Sequence, residues 1–262
     1  MTAYSDPVNR LLTLGTIKFG TEWMDYPLHG FTAAEIPELI RLSQDQELAQ
    51  GNPESPQVFA QVHAWRALGQ IRAESAIGPL LDLLVEPDEN DDWDDWLTEE
   101  IPVVMAMIGP TAIPAVSERL QQCDFQTWAT SSLARALTEI AKCYSETRDV
   151  VVSEISQRLE RAAKQDPAVN GMLIAYLLDL NAKESWPVIE AAFATGNVDE
   201  FVAGGPDDVK YELQLGPKPP PGKNRYGFAL PGASRITPKA KALDRKKKRK
   251  AKKVQKAQRR RK

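Results

Sequence analysis

A nine-residue pattern recurs five times along the chain: EIPELIRLS from Glu35, AIGPLLDLL from Ala76, AIPAVSERL from Ala112, VVSEISQRL from Val151 and SWPVIEAAF from Ser185. The starts are 41, 36, 39 and 34 residues apart. A period in this range is the length of one helical hairpin, a unit that cannot bury its apolar face alone and must stack on its neighbours. The second column holds Ile36, Ile77, Ile113, Val152 and Trp186, the fifth Leu39, Leu80, Val116, Ile155 and Ile189. The ninth holds Leu84, Leu120, Leu159 and Phe193, with Ser43 as the exception. Offsets of three and seven place these columns on one stripe of a helix, so each nonapeptide reads as the second helix of a pair.

Pro37, Pro79, Pro114 and Pro187 fall in the first turn of these helices, where a fixed φ and a missing N–H do least harm. Thr32 to Glu35 reads as a capping box, and Ser75, Thr111 and Ser185 as N-caps. The first helices of the pairs are expected over residues 57–71, 98–108, 127–144 and 168–180, closed by stops such as Gly109-Pro110 and Asn181-Ala182-Lys183. Val8 to Leu14 reads as a helix ahead of an irregular first pair.

Uneven spacing suits HEAT-type units better than the stricter 34 residues of TPR or 33 of ankyrin repeats. The stretches HAWRALGQIRAESAIGPLLDLL, from His63, and IPVVMAMIGPTAIPAVSERL, from Ile101, carry the likeness most clearly. Over residues 31–195 the chain resembles the HEAT-like repeats named for the phycobilisome lyases, frequent in uncharacterised bacterial proteins. That resemblance implies an all-α, right-handed α-solenoid of about five HEAT-like pairs and a habit of binding. Members include bilin lyase-like or chaperone-like factors and scaffolds, so no catalytic residue carries over.

The formal net charge of −3 conceals a division. Residues 239–262 hold fifteen Lys or Arg against one acid, a charge of +14, so that 18 basic and 35 acidic residues leave the remainder at −17. A block so charged, with little apolar surface to bury, is expected to be disordered when free. The domain expectation is a HEAT-like solenoid over residues 1–195, a helical cap over 196–216, a Pro/Gly-rich linker over 217–238 with Pro217, Pro219, Pro220 and Pro221, and the basic tail. Arg245, Lys246, Lys247, Lys248, Arg249, Lys250, Lys252, Lys253, Arg259, Arg260, Arg261 and Lys262 are the candidate polyanion-binding residues, through counterion release on RNA or DNA. The run lacks aromatic residues for base stacking, so the expected binding is not sequence-specific. The protein's own acidic loops are an alternative partner for it.

Residues 86–96, EPDENDDWDDW, carry seven carboxylates and two tryptophans between two expected helices. Asp88, Asn90, Asp92 and Glu99 fall at calcium-loop positions, but Trp93 stands where that loop needs glycine. The segment reads instead as an inter-repeat loop anchored by its tryptophans, with Asp91, Asp92, Trp93, Asp94, Asp95 and Trp96 as a candidate protein-interaction site. His29 and His63 belong to no metal or nucleophile motif, and His63 is expected to pack or hydrogen-bond within the stack beside a core Trp65 and a surface Arg66. Cys123 and Cys143, without further partners, read as buried thiols rather than a disulfide or zinc site. No catalytic motif, cofactor or metal site is expected. No run of about 18 apolar residues and no leader-like N-terminus appear, so the expected location is cytoplasmic and without a transmembrane segment. Together these features describe a non-enzymatic binding scaffold or adaptor with an unknown protein in its groove, and secondarily an RNA- or DNA-binding protein.

Overall fold

A computed structural model describes residues 3–15, 17, 22–49, 55–85, 91–123 and 127–219. Among these residues it is all-helical, without strands. The chain divides into two units, residues 1–199 and 200–262. The boundary falls four residues beyond the one expected from composition.

The first unit contains α1 (Ile36–Ser43), α2 (Gln46–Ala49), α3 (Ala60–Gln70), α4 (Ile77–Val85) and α5 (Asp91–Ile108). It continues through α6 (Ile113–Gln122), α7 (Thr127–Cys143), α8 (Arg148–Leu159), α9 (Pro167–Asp179) and α10 (Trp186–Ala194). Every nonapeptide is a helix, and the fifth-column residues Leu39, Leu80, Val116, Ile155 and Ile189 are all fully buried. Ser43, the exception in the ninth column, is also buried, and its hydroxyl donates to the Ile40 carbonyl at 2.8 Å.

The entry to these helices differs from expectation. The Thr32–Glu35 capping box is present, but Ser75, Thr111 and Ser185 stand inside 3-10 turns, Glu74–Ala76, Pro110–Ala112 and Lys183–Ser185. Turns also precede α1 (Ala33–Glu35) and α8 (Ser145–Thr147). In all five a main-chain N–H reaches the carbonyl three residues back: Glu35 to Thr32, Ala76 to Ala73, Ala112 to Gly109, Thr147 to Tyr144 and Ser185 to Ala182. The backbone thereby satisfies donors that side-chain caps would otherwise take. The expected helix at Val8 to Leu14 is likewise a 3-10 helix, Val8–Thr13.

The first helices form one packed series, α3 on α5, α5 on α7 and α7 on α9, and the nonapeptide helices another, α4 on α6, α6 on α8 and α8 on α10. Gly69 lets α3 and α5 close up, since a Cβ there would lie 3.3 Å from Val104 Cγ1 and 3.4 Å from its Cα. Gly109, at φ +110°, supplies the stop after α5, and Asn181, at φ +50°, the stop after α9.

α5 is the main departure. The expected start near Thr98 is corrected to Asp91, so Asp91 to Trp96 are the first turns of an 18-residue helix rather than part of a loop. Acidic residues in a first turn interact favourably with the N-terminal end of the helix dipole. Pro102 sits inside this helix and cannot donate to the Thr98 carbonyl four residues back. Arg135 of α7 donates to that carbonyl at 3.2 Å while pairing with Glu99 at 3.1 Å, so a neighbouring helix repairs the interrupted ladder.

In the second unit, α11 (Glu200–Ala203) and α12 (Pro206–Glu212) meet at Gly204 and Gly205. Gly204 has φ +88°, and a Cβ on it would fall 2.9 Å from the Cβ of Asp208. The Asp208 carboxylate accepts the Gly205 N–H at 3.1 Å, closing the first turn of α12.

Candidate functional site

The backbone of Asp91, Asp92, Trp93, Asp94 and Asp95 belongs to α5, while their side chains, and residues 86–90 entirely, lie outside the described residues. So do residues 220–262, with the basic tail and all of its candidate polyanion-binding cations. Trp96 is described and half-buried. Its ring stands edge-on to Phe59, with centroids 5.9 Å apart and planes at 77°. The anchoring expected of the tryptophans is thus visible at Trp96.

Trp96 leads to a cluster that periodicity alone did not mark. Arg66 of α3, expected on the surface, is 3 % exposed and pairs with Glu100 of α5, which is 6 % exposed. Arg66 Nε donates to Glu100 Oε2 at 2.8 Å, and Nη2 makes a close contact with Oε1. Trp65 Nε1 also donates to Oε2, at 2.9 Å. The guanidinium carbon lies 4.7 Å from the Trp23 ring centroid and 6.0 Å from that of Trp96. Removing a guanidinium and a carboxylate from water is costly, and is offset only when both are paired and hydrogen-bonded. That condition holds here: both carboxylate oxygens are occupied, and aromatic faces cover the cation. The arrangement locks α3 to α5 and offers no free carboxylate for acid–base chemistry.

His63, one turn before Arg66, makes the hydrogen bond expected of it, with 2.7 Å between its Nδ1 and the Tyr26 hydroxyl. Burial pushes the imidazole down to about 4, with the Gly15 backbone acting in the opposite direction and the Arg66 charge adding to the depression. The ring is therefore neutral at neutral pH. Burial likewise holds the Tyr26 phenol above its ordinary range. His63 Nε2 is buried without a hydrogen-bond partner among the described residues.

Elsewhere, Asp82 pairs with Arg119 at 2.5 Å and Lys142 with Asp179 at 3.0 Å. Gln44 Nε2 donates to the Pro79 carbonyl at 3.2 Å, Gln121 Nε2 to the Glu154 carbonyl at 3.0 Å, and Ser156 and Ser185 share a hydroxyl contact of 2.8 Å. The two residues in each of these contacts lie between 29 and 37 apart in sequence, about one repeat. An open groove of about 560 Å³ runs between α8 and α10, floored by Val152 and Val188 and lined by Ser153 and Ser156. At its edge Arg148 bridges Asp149, at 2.8 Å, and Glu184, at 2.7 Å. The Arg148 guanidinium holds the Glu184 carboxyl below its usual range.

Among the described residues no group of three or more His, Cys, Asp or Glu could hold a metal ion. Both cysteines are free thiols, but Cys123 is half-buried and Cys143 exposed, which corrects the expectation that both are buried. Cys143 is the last residue of α7, where the stack stops covering its face. No single helix among the described residues is long and apolar enough to cross a membrane.

Residues 32–217 match the family model described as a protein of unknown function (DUF1186). Neither a curated protein nor a solved structure matches the chain.

Proposed function

The chain belongs to the DUF1186 family, and on that footing we propose that it is a non-enzymatic, protein-binding scaffold built as a right-handed α-solenoid of HEAT-like pairs. The observation carrying this reading is the set of polar ties between residues about one repeat apart, which link α1 to α4, α4 to α6, α6 to α8 and α8 to the turn before α10. Ties of this kind belong to repeats that contact only their neighbours, an architecture whose use is an extended binding surface. The groove between α8 and α10, apolar at its floor and acidic at one edge, is the part of that surface assigned to the partner.

A second reading, nucleic-acid binding, draws on the +14 of residues 239–262. Fifteen cations in 24 residues suffice for tight, sequence-indifferent retention of a polyanion. Affinity capture with the full chain and with a chain ending at Pro238 tests both. The expected result is one protein partner retained by both forms, and RNA or DNA retained by the full chain alone. Nucleic-acid retention should fall by about a thousandfold or more between about 50 and 200 mM salt. Absence of a protein partner from both captures would overturn the scaffold reading, and tail-independent retention of nucleic acid would overturn the second.

A further inference from the structure

Helix α3 carries His63, Arg66 and Gln70, spaced three and four residues apart and therefore on one face. All three engage the same short stretch, residues 23–26, which has no regular structure before the turn at Tyr26. Gln70 clamps its main chain: Oε1 accepts the Tyr26 N–H at 2.8 Å, and Nε2 donates to the Met24 carbonyl at 2.9 Å. Arg66, oriented by Glu100, lies against the Trp23 ring. His63 holds the Tyr26 hydroxyl.

This chemistry is unlike that of the other helix contacts, where Leu39, Leu80, Val116 and Ile155 fill the space. A permanent apolar contact avoids the desolvation cost of an imidazole, a guanidinium and an amide on one face. A face that recognises a peptide uses such groups to read main chain and ring edges, with Arg, Trp and Tyr prominent. The bound stretch also remains partly at the surface: Asp25 is exposed, Trp23 and Met24 are half-buried, and Leu28, just beyond it, is 83 % exposed.

We infer that the His63–Arg66–Gln70 face of α3 is a peptide-recognition site, occupied in cis by residues 23–26, and that it accepts segments with an aromatic residue followed three positions later by tyrosine. Gln70 supplies sequence-indifferent hold on the main chain, Arg66 selects the first ring, and His63 selects the phenol. The site lies on a first helix, away from the groove between α8 and α10, so it stands independently of the scaffold reading.

The test uses the full chain with Trp23→Ala and Tyr26→Ala, which leave the α3 face intact, and a fluorescein-labelled peptide of residues 22–31, EWMDYPLHGF. The double variant should bind this peptide saturably and at least about tenfold more tightly than the wild-type chain. Adding Gln70→Ala should cost about tenfold again. A double variant with unchanged helical circular dichroism and no gain in peptide binding overturns the inference. Hydrogen exchange on the wild-type chain decides the matter if that variant does not fold. The Tyr26 amide should be at least about tenfold less protected than the amides of residues 64–68, as expected of a ligand that leaves before α3 opens. Equal protection overturns the inference, because the stretch would then open only with the helix.

Discussion

At the residue scale the Arg66–Glu100 pair bears most of the consequence. Truncating one member leaves the other charged and buried among Trp23, Trp65 and Trp96. Glu100→Ala or Arg66→Ala should therefore destabilise the chain by about 3–5 kcal/mol in denaturant titration. Combining Arg66→Met with Glu100→Leu should cost less than either single change, because no unpaired charge remains; an equal or larger loss would mean that the pair contributes no more than side-chain volume.

His63 gives a pH signature. Its imidazole is depressed from 6.5 to about 4 in the fold, so between those values the unfolded chain binds the extra proton. The contribution is complete above about pH 6.5 and is lost as pH falls towards about 4. At roughly 1.4 kcal/mol per unit it amounts to about 3 kcal/mol. His63→Gln should flatten the difference in stability between pH 6.5 and pH 4 relative to wild type, whereas an identical slope would show that other groups control acid sensitivity.

At the element scale, α5 depends on α7. Pro102 deprives the Thr98 carbonyl of its helical donor, and Arg135 supplies one. A double-mutant cycle between Pro102→Ala and Arg135→Ala should show a coupling of about 1 kcal/mol, because alanine at 102 restores a main-chain donor and makes the Arg135 bond redundant. Strict additivity would contradict this.

The same scale shows what could be read from sequence. The helices at Ile36, Ile77, Ile113 and Trp186 were legible because an apolar stripe and a first-turn proline are local signals. So was the stop at Asn181, a residue that tolerates φ > 0. The start of α5 was not: DDWDDW resembles a loop by composition, and its helical state joins the dipole preference of its acids to the contact of Trp96 with Phe59, 37 residues earlier. Arg66 was misread for the same kind of reason. Its burial is set by Glu100, 34 residues away, and by Trp23 in an irregular segment with no period to mark it. Ser75 and Thr111 have the composition of N-caps, but 3-10 turns fulfil that need through the main chain.

At the scale of the whole molecule, an acidic body and a basic tail offer different binding chemistries, and the proposed function assigns the protein partner to the body. Substituting Ser153→Arg together with Val188→Arg places two bulky cations in the groove between α8 and α10 without touching the fully buried Ile155 and Ile189. The most direct measurement is the affinity of the captured protein partner for the wild-type chain, this double variant and the chain ending at Pro238, each checked for unchanged thermal unfolding. The scaffold account predicts a loss of at least about tenfold for the groove variant and little change on removing the tail. Undiminished binding by the groove variant, with loss on removing residues 239–262, would contradict it.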